Sequence, residues 1–295
     1  MSAALASLAL AGCGGSAGHV AVRETHAPKL TRAAVVRAPA HRLAVNVRLN
    51  VLYREVDGVR LRLDAYLPGA KGSHPAIVFL HGGGFRSGTR SSFAPGEQAF
   101  GPTGRALARN GLAAFAIDYR LAPQFRFPAA KQDVLAAVRW VRRHAHELGV
   151  DRARLGLFGV SAGGNLAALA ATQPSSPLDQ VRVAASWSGP MDLARFYPAH
   201  PFLAEYLGCM ASACPGRYRA ASPVNHVDHG DPPMLLANSS AETVPIGQAR
   251  EMISRLAAVG VAHQLLTIPG GQHAGQYNAQ AWPATLRFLR QHLMR

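Results

Sequence analysis

The sequence predicts an α/β fold with a mostly parallel central sheet and helices on both faces. From about residue 76 to the C-terminus, short apolar runs alternate with longer amphipathic stretches, which is typical of parallel strands joined by helices. Residues 76–80 (AIVFL) form an unbroken apolar run of the kind found in strands covered on both faces. The 295 residues, 48% of them hydrophobic, suffice for one large core, so we expect a single folded domain plus a tail.

The predicted elements begin with a hairpin of residues 51–56 and 59–67 around the turn pair Asp57-Gly58. Further strands are expected at residues 76–80, 112–117, 154–158, 181–187 and 234–237 and at His263–Ile268. Helices are expected at residues 129–148, 162–171, 248–259 and 276–294. Residues 188–232 interrupt this alternation, and such an insertion usually lies over the strand ends, so a small lid is predicted there.

The first residues resemble a bacterial lipoprotein signal. Residues 3–10 are a short apolar run that leads into LAGC, in which Cys13 directly follows small residues, as in a lipobox. We interpret residues 1–13 as this signal, and expect a lipid on Cys13, peripheral membrane attachment and an extracytoplasmic location. No Lys or Arg precedes the run, so an Ala/Gly-rich tail on a cytoplasmic protein is the alternative. Residues 14–48 are interpreted as a flexible basic linker and residues 49–295 as the folded domain.

The two remaining cysteines, Cys209 and Cys214, are close enough in sequence to close a small loop by a disulfide in an oxidising compartment. A zinc site is disfavoured, because two cysteines without two further close ligands cannot complete a tetrahedron. A second group of candidate ligands fits a solvated turn before Pro232 better than a metal site: His226, Asp228, His229 and Asp231. No metal site is therefore predicted.

The formal net charge of +15 does not indicate nucleic-acid binding. The sequence contains no run of five or six basic residues, and its aromatic residues do not alternate with basic ones as in single-strand binding surfaces. A basic, solvated surface is the preferred interpretation, with attraction to an anionic membrane as the alternative.

The strongest chemical signal is GVSAGG at 159–164, between a predicted strand and a predicted helix. Glycines two positions from Ser161 on either side are needed where a sharp strand-to-helix turn leaves no room for side chains and exposes the serine. This pattern predicts a nucleophile at Ser161, and a turn without chemistry is the alternative.

A second motif, HGGGF at 81–85, follows directly on the apolar run 76–80. A glycine run at this place lets backbone N–H groups point at a substrate oxygen, and the amide of Ala162, after the serine, supplies another. A phosphate-binding loop is disfavoured because the lysine of such a loop is missing.

Together with two further segments, these motifs resemble the hormone-sensitive-lipase-like and bacterial esterase branch of the α/β-hydrolase fold, also described as alpha/beta hydrolase fold-3 or BD-FAE-like. The segments are HGGGF at 81–85, DYRLAP at 118–123, FPAAKQDVLAAVRWV at 127–141 and GVSAGGNLAA at 159–168. The resemblance runs from about residue 51 to the C-terminus. It implies an α/β-hydrolase catalytic domain that acts on carboxylic esters of short acyl chain and needs no cofactor.

The resemblance also implies roles for particular residues. The N–H groups of Gly83, Gly84 and Ala162 are expected to form the oxyanion hole. The His81 side chain is expected to brace the glycine loop rather than react. Asp118 belongs to a structural part of the family pattern, so it is not the predicted catalytic acid.

A serine hydroxyl needs a base that takes its proton and an acid that holds the base's tautomer; in this fold they follow in the order Ser, acid, His. His273 is the predicted base, because GGQHA at 270–274 follows the last strand and can carry an imidazole back over the sheet. Family members commonly carry Asp four positions before a proline after the strand 234–237, where this chain has Ala241. Glu242, the only carboxylate of that loop, is the predicted acid.

The predicted function is that of a serine carboxylesterase acting on a small-molecule ester, and two alternatives stay open. A peptidase of the same fold would share the serine turn, but such enzymes usually carry a large extra domain, and the residues before 51 are too few for one. A non-catalytic protein that binds a hydrophobic ligand at the cell surface is made conceivable by Ala241. The oligomeric state is not predicted.

Overall fold

The computed structural model describes residues 44–93 and 103–294. Its strands are β1 (Val45–Val56), β2 (Val59–Pro68), β3 (His74–Leu80), β4 (Ala113–Ile117), β5 (Val150–Val160), β6 (Val183–Trp187), β7 (Met234–Ser239) and β8 (His263–Ile268). They form one eight-stranded sheet with the order β1-β2-β4-β3-β5-β6-β7-β8. β1 and β2 pair antiparallel, β2 and β4 do the same, and all other neighbours are parallel. The predicted sheet is therefore confirmed.

Helices cover both faces of this sheet. They are α1 (Gly104–Arg109), α2 (Ala129–Arg143), α3 (Ala162–Thr172), α4 (Leu193–Phe196), α5 (Leu203–Leu207), α6 (Pro215–Ala220), α7 (Ile246–Ala258) and α8 (Asn278–Leu293). Successive side chains of a strand point to opposite faces, so Ile77 packs in one core with Leu289 of α8, and Val78 packs in the other with Leu166 of α3. Within the described ranges, every helix is too short or too polar to cross a bilayer.

Two boundaries differ from the predicted ones by five residues or more, and one helix outside residues 188–232 was not predicted. β1 begins at Val45, inside the segment interpreted as the linker 14–48, because Val45 pairs with Pro68 at the far end of β2. α2 ends at Arg143, five residues before the predicted end, because residues 144–149 are needed for the turn into β5. α1 was not predicted, since its six residues are too few to show a helical period.

The insertion between β6 and β7, residues 188–232, contains the short helices α4, α5 and α6, and we call it the lid. Cys209 and Cys214 form a disulfide between α5 and α6. The Tyr206 ring of α5 stacks on Phe85, with 4.0 Å between the ring centroids. The lid thus packs on the glycine loop, residues 81–85, which follows the C-terminal end of β3.

Candidate active site

Ser161 occupies the sharp turn between β5 and α3. Its backbone lies at φ 53° and ψ −121°, a strained conformation for a residue with a side chain, which presents the hydroxyl to the cleft. The Ser161 N–H donates to the carbonyl of Trp187 at 2.8 Å and so ties the turn to β6. A β-carbon on Gly163 would overlap the Leu80 carbonyl, and one on Gly159 would overlap Gly163. Both glycines are therefore required by close backbone approach.

His273 lies beside the serine, with its Nε2 3.0 Å from Ser161 Oγ. The other ring nitrogen, Nδ1, is hydrogen-bonded to Oε2 of Glu242. A carboxylate only accepts hydrogen bonds, so Nδ1 carries the proton and the lone pair of Nε2 faces the serine hydroxyl. The structure thus brings the predicted nucleophile, base and acid, separated by 112 and 31 positions in the chain, into one hydrogen-bonded row.

The Glu242 side chain is completely buried, with 0% exposure. Its Oε1 accepts hydrogen bonds from the backbone N–H of Ser239 at 2.8 Å and from Asn238 Nδ2 at 2.9 Å. It also accepts one from the Ser188 hydroxyl at 2.8 Å. A buried charge is tolerated only when hydrogen bonds replace its water, and here both carboxylate oxygens have donors. Position 242 therefore supplies an acid that contacts the imidazole, one position later than in the family pattern.

Two polar residues of this site were missed in the sequence. Ser188, directly after β6, and Tyr277, in the turn before α8, have hydroxyl oxygens 2.7 Å apart. Ser188 lies 54 positions from Glu242 and 89 positions from Tyr277, so no local pattern connects them. The one available signal was the place of Ser188 directly after a strand, at the sheet edge where ligands gather in α/β folds.

The predicted oxyanion hole faces the same cleft. Gly83 and Gly84 have φ values of 113° and 62°, which side-chain-bearing residues rarely adopt. In the part of the chain that the structure describes, the amide N–H of neither glycine is bonded to an acceptor. Ala162 begins α3, where N–H groups have no partner within the helix. None of these three N–H groups, which belong to residues lining the cavities at Ser161, is therefore committed to an acceptor in the described part of the chain.

His81 lies behind the glycine loop and is 1% exposed. Its ring stacks on Tyr119 with 4.1 Å between centroids, and its Nδ1 is 2.7 Å from the Gly82 carbonyl. Burial lowers the pKa of His81 to about 4, so the ring is neutral at neutral pH. A carbonyl only accepts, so the proton sits on Nδ1. The neutral ring is placed to support the loop.

The other residues singled out in the sequence lie elsewhere. Asp118 accepts a hydrogen bond from the Arg90 backbone N–H at 2.9 Å and pairs with the Arg90 guanidinium, away from the serine. Asp228 and Asp231 accept hydrogen bonds from amides of their own turn. Among residues 44–93 and 103–294, His, Cys, Asp and Glu side chains form no group able to hold a metal. Cys13 lies outside the described residues.

Two cavities meet at Ser161. The larger has a volume of about 430 Å³, lies along the glycine loop and reaches Ser87 and Ser92. The smaller, of about 160 Å³, is lined on the lid side by Phe196, His200 and Phe202. Because both cavities also contact the His273 imidazole, a molecule bound at the serine has room to extend in two directions.

The structure has the features that define the α/β-hydrolase fold. These are a sheet of this order, a strained serine after the central strand β5 and a histidine in the loop after the last strand. The chain belongs to the BD-FAE family, whose sequence model matches residues 63–256. The resemblance seen in the motifs is thereby confirmed.

Similarity extends to named esterases. Esterase LipC of Mycobacterium tuberculosis (strain ATCC 25618 / H37Rv) is 31% identical over 217 residues, which are 68% of this chain and 52% of LipC. This chain thus spans about half the length of that curated relative. A truncated form of a carbohydrate esterase from gut microbiota superimposes with a TM-score of 0.76 and 25% identity, covering 87% of this chain and 99% of that one. Native Est2, a thermophilic esterase of Thermogutta terrifontis, gives a TM-score of 0.67 and 29% identity, covering 87% and 93%.

Proposed function

We propose that this protein is a serine carboxylesterase that hydrolyses short-chain carboxylic esters through an acyl-enzyme intermediate. One observation carries the proposal: Ser161 Oγ lies 3.0 Å from Nε2 of His273, whose Nδ1 is bonded to the buried Glu242. A serine so placed beside unoccupied amide donors has what acyl transfer requires. The esterase names of the relatives support the choice of esters among acyl substrates.

In the first step, Ser161 Oγ attacks the ester carbonyl carbon while Nε2 of His273 takes the hydroxyl proton. The carbonyl oxygen becomes an oxyanion, to which the amides of Gly83, Gly84 and Ala162 donate. The tetrahedral intermediate then collapses: the carbonyl reforms, the bond to the alcohol oxygen breaks, and the alcohol leaves with the proton from Nε2. The acyl group remains on the serine.

In the second step, a water molecule gives a proton to Nε2 of His273 and its oxygen attacks the acyl carbon. Collapse of this second intermediate releases the carboxylic acid and returns the proton to Ser161. Glu242 remains ionised in both steps, because it holds the Nδ1 proton and stabilises the imidazolium that forms twice per cycle.

Short acyl chains are proposed because the cavity on the lid side is small. We assign the acyl group to this cavity of about 160 Å³, which the rings of Phe196 and Phe202 bound, and the alcohol part to the larger cavity of about 430 Å³. Structures of the Thermogutta terrifontis esterase carry bound propionate and bound butyrate, acids of the size that the assignment allows. We expect activity to fall steeply from butyrate to octanoate esters.

We also propose that the protein is exported and anchored through a lipid on Cys13. The disulfide between Cys209 and Cys214 supports this, because disulfides persist in oxidising compartments. The test is mass spectrometry of Cys13 from intact cells. A lipid on the cysteine is expected, and a cytosolic product with a free Cys13 thiol would remove the proposal.

The proposed activity is tested with wild type and Ser161→Ala on 4-nitrophenyl acetate, butyrate and octanoate, with Ser73→Ala, at an exposed serine, as the matched control. The wild type and Ser73→Ala should hydrolyse acetate and butyrate and react with a fluorophosphonate probe. Ser161→Ala should lose both by about 10⁵-fold or more. Unchanged hydrolysis in Ser161→Ala would contradict the proposal. Preferential cleavage of dipeptide amides would indicate a peptidase, and an unlabelled wild type would indicate a binding protein.

A further inference from the structure

Ser188 has an unusual backbone for a buried serine. Its φ is 52°, in the left-handed region that disfavours residues with a β-carbon, and its side chain is completely buried. Its N–H donates to the Ala237 carbonyl at 2.8 Å, which holds the residue against β7. Such strain persists only where the surroundings enforce it, so the contacts of the Ser188 hydroxyl are informative.

The Ser188 hydroxyl connects the segment of the predicted acid, Glu242, with the segment of the predicted base, His273. Its oxygen accepts a hydrogen bond from the backbone N–H of Ala274, the residue after His273, at 2.8 Å. The same hydroxyl donates to Glu242 Oε1 at 2.8 Å. Ala274 also has a positive φ, 49°, so the base segment bends sharply where it meets this serine. One side chain therefore spans the loop of the acid and the loop of the base.

The direction of these hydrogen bonds follows from the partners. An amide N–H only donates and a carboxylate only accepts, so the single Ser188 proton points at Glu242. The Tyr277 hydroxyl lies 2.7 Å from Ser188 Oγ and 2.9 Å from the Ala237 carbonyl, so its one proton is shared between these two acceptors. Burial, together with the charge of Glu242, raises the pKa of Tyr277, so its hydroxyl stays protonated. The serine is thus polarised towards the carboxylate.

We infer that Ser188 is a positioning residue, which holds the Glu242 carboxylate at the correct distance and orientation for His273 Nδ1. It occupies Oε1, so that Oε2 remains for the imidazole, and it fixes the base segment through Ala274. The effect of Ser188 on turnover rests on the proposed esterase function, whereas its effect on the hydrogen bond between Glu242 and His273 does not.

The experiment compares Ser188→Ala and Ser188→Gly with Ser186→Ala. Ser186 is the matched control: it lies two positions earlier, is equally buried, and its hydroxyl has no hydrogen-bond partner among the described residues. Ser188→Gly removes the hydroxyl but also relieves the positive φ, so it should be more stable to unfolding than Ser188→Ala, which removes the hydroxyl and keeps the strain. Both Ser188 variants should lower kcat for 4-nitrophenyl acetate about 10- to 100-fold, the effect of one hydrogen bond to a charged group, with little change in KM. Ser186→Ala should match the wild type.

A second readout is independent of turnover. The proton on Nδ1 of His273 gives an NMR resonance whose position reports its hydrogen bond to Glu242. This resonance should move in both Ser188 variants and stay in place in Ser186→Ala. If the Ser188 variants keep the wild-type kcat and the wild-type resonance, the inference is overturned. If the wild type hydrolyses no ester, the proposed function fails, and the Nδ1 resonance alone then tests whether Ser188 positions Glu242.

Discussion

The two sides of Ser161 are held by different interactions. On the base side, a buried carboxylate accepts hydrogen bonds from a backbone amide, an asparagine, a serine hydroxyl and the catalytic imidazole. On the oxyanion side, rings pack against rings: His81 stacks on Tyr119, and Phe85 on Tyr206. In the proposed mechanism, the polar network surrounds the group that accepts hydrogen bonds in every step, and the aromatic packing lies where negative charge develops only during the reaction.

This difference follows from which hydrogen-bonding groups each side must keep available for the substrate. In the proposed mechanism, the carboxylate is a hydrogen-bond acceptor in every step, so donors can be committed to it permanently. In the proposed mechanism, the amides of Gly83 and Gly84 donate to the substrate oxygen, so hydrogen bonds from these groups cannot also hold the loop. Stacked rings, and hydrogen bonds accepted by carbonyls of the loop such as that of Gly82, hold the loop without using these two N–H groups. Substitutions that remove polar atoms on the base side should therefore lower mainly activity. Substitutions on the oxyanion side should also change the shape of the glycine loop and lower the free energy of unfolding.

On the base side, the largest effect is expected for Glu242→Gln. The amide presents N–H to Nδ1 of His273, which drives the imidazole to the tautomer that has a proton on Nε2 and cannot accept one from the serine. We expect kcat to fall about 10⁴-fold with little change in KM. Steady-state kinetics on 4-nitrophenyl acetate measures this. Glu55→Gln is the control, since Glu55 is 64% exposed; a loss below tenfold in Glu242→Gln would remove Glu242 as the acid.

On the oxyanion side, Gly84→Ala tests the loop geometry. Alanine disfavours the φ of 62°, so the peptide group should rotate and one amide donor should turn away from the substrate. Loss of one donor predicts a decrease in kcat of about 10²- to 10³-fold.

Gly58→Ala is the matched control for this loop. Gly58 has a φ of 73°, and a β-carbon there has no atom within 4 Å. Both variants should lose about 1–2 kcal/mol of unfolding free energy, and only Gly84→Ala should lose activity. Equal kcat values for the two variants would show that the Gly84 amide is not an oxyanion donor.

The buried His81 predicts a pH dependence of stability that belongs to the oxyanion side. Its pKa is lowered from 6.5 to about 4 by burial, so between these pH values the unfolded chain binds a proton that the folded protein does not. Stability should therefore fall as the pH drops from 6.5 to 4, by about 3 kcal/mol in total from this group. Urea unfolding across this range should give a flatter curve for His81→Gln, and the exposed His229→Gln should retain the wild-type slope. If the unfolding free energy changes with pH by the same amount in all three proteins, the pH dependence does not come from His81.

The disulfide should have a smaller effect, confined to the lid. Cys209 and Cys214 are five positions apart, and closing so short a loop stabilises a fold by about 2 kcal/mol in the chain-entropy description. The Cys209→Ser, Cys214→Ser double variant should lose this amount in urea unfolding. Reduced wild type should match it, while the double variant should not respond to reductant. A double variant that is as stable as oxidised wild type would exclude this contribution.

The smallest effect is expected for Tyr206→Phe. The Tyr206 hydroxyl is buried without a hydrogen-bond partner in the described part of the chain, whereas its ring stacks on Phe85. Removing the hydroxyl keeps the stacking and should change the unfolding free energy by less than about 1 kcal/mol, in the stabilising direction. Tyr218→Phe is the control, because it loses a hydrogen bond to the Cys209 carbonyl. Greater destabilisation of Tyr206→Phe than of Tyr218→Phe would show that the Tyr206 hydroxyl is bound.

Much of the fold was predictable because strand and helix signals are local. The run at 76–80 lies within β3, and His263–Ile268 is β8 as predicted. The predicted boundaries were wrong where pairing with another strand determines them. Val45, for example, belongs to β1 because it pairs with Pro68 of β2. In the site, the glycines around Ser161 and the lone carboxylate of the 238–245 loop could be read directly, because a sharp turn and an acid each demand particular residue types.

The sequence by itself determined the order of elements, the serine turn, the glycine loop and the candidates for base and acid, since each depends on residues within a few positions of one another. Only the tertiary structure decided that Ser188 donates to Glu242, 54 positions away, and that Arg86 at the glycine loop pairs with Glu205 of the lid, 119 positions away. A hydrogen bond requires its two atoms to meet within about 3 Å. Such a meeting depends on how the whole sheet and lid are packed, which no local residue pattern specifies.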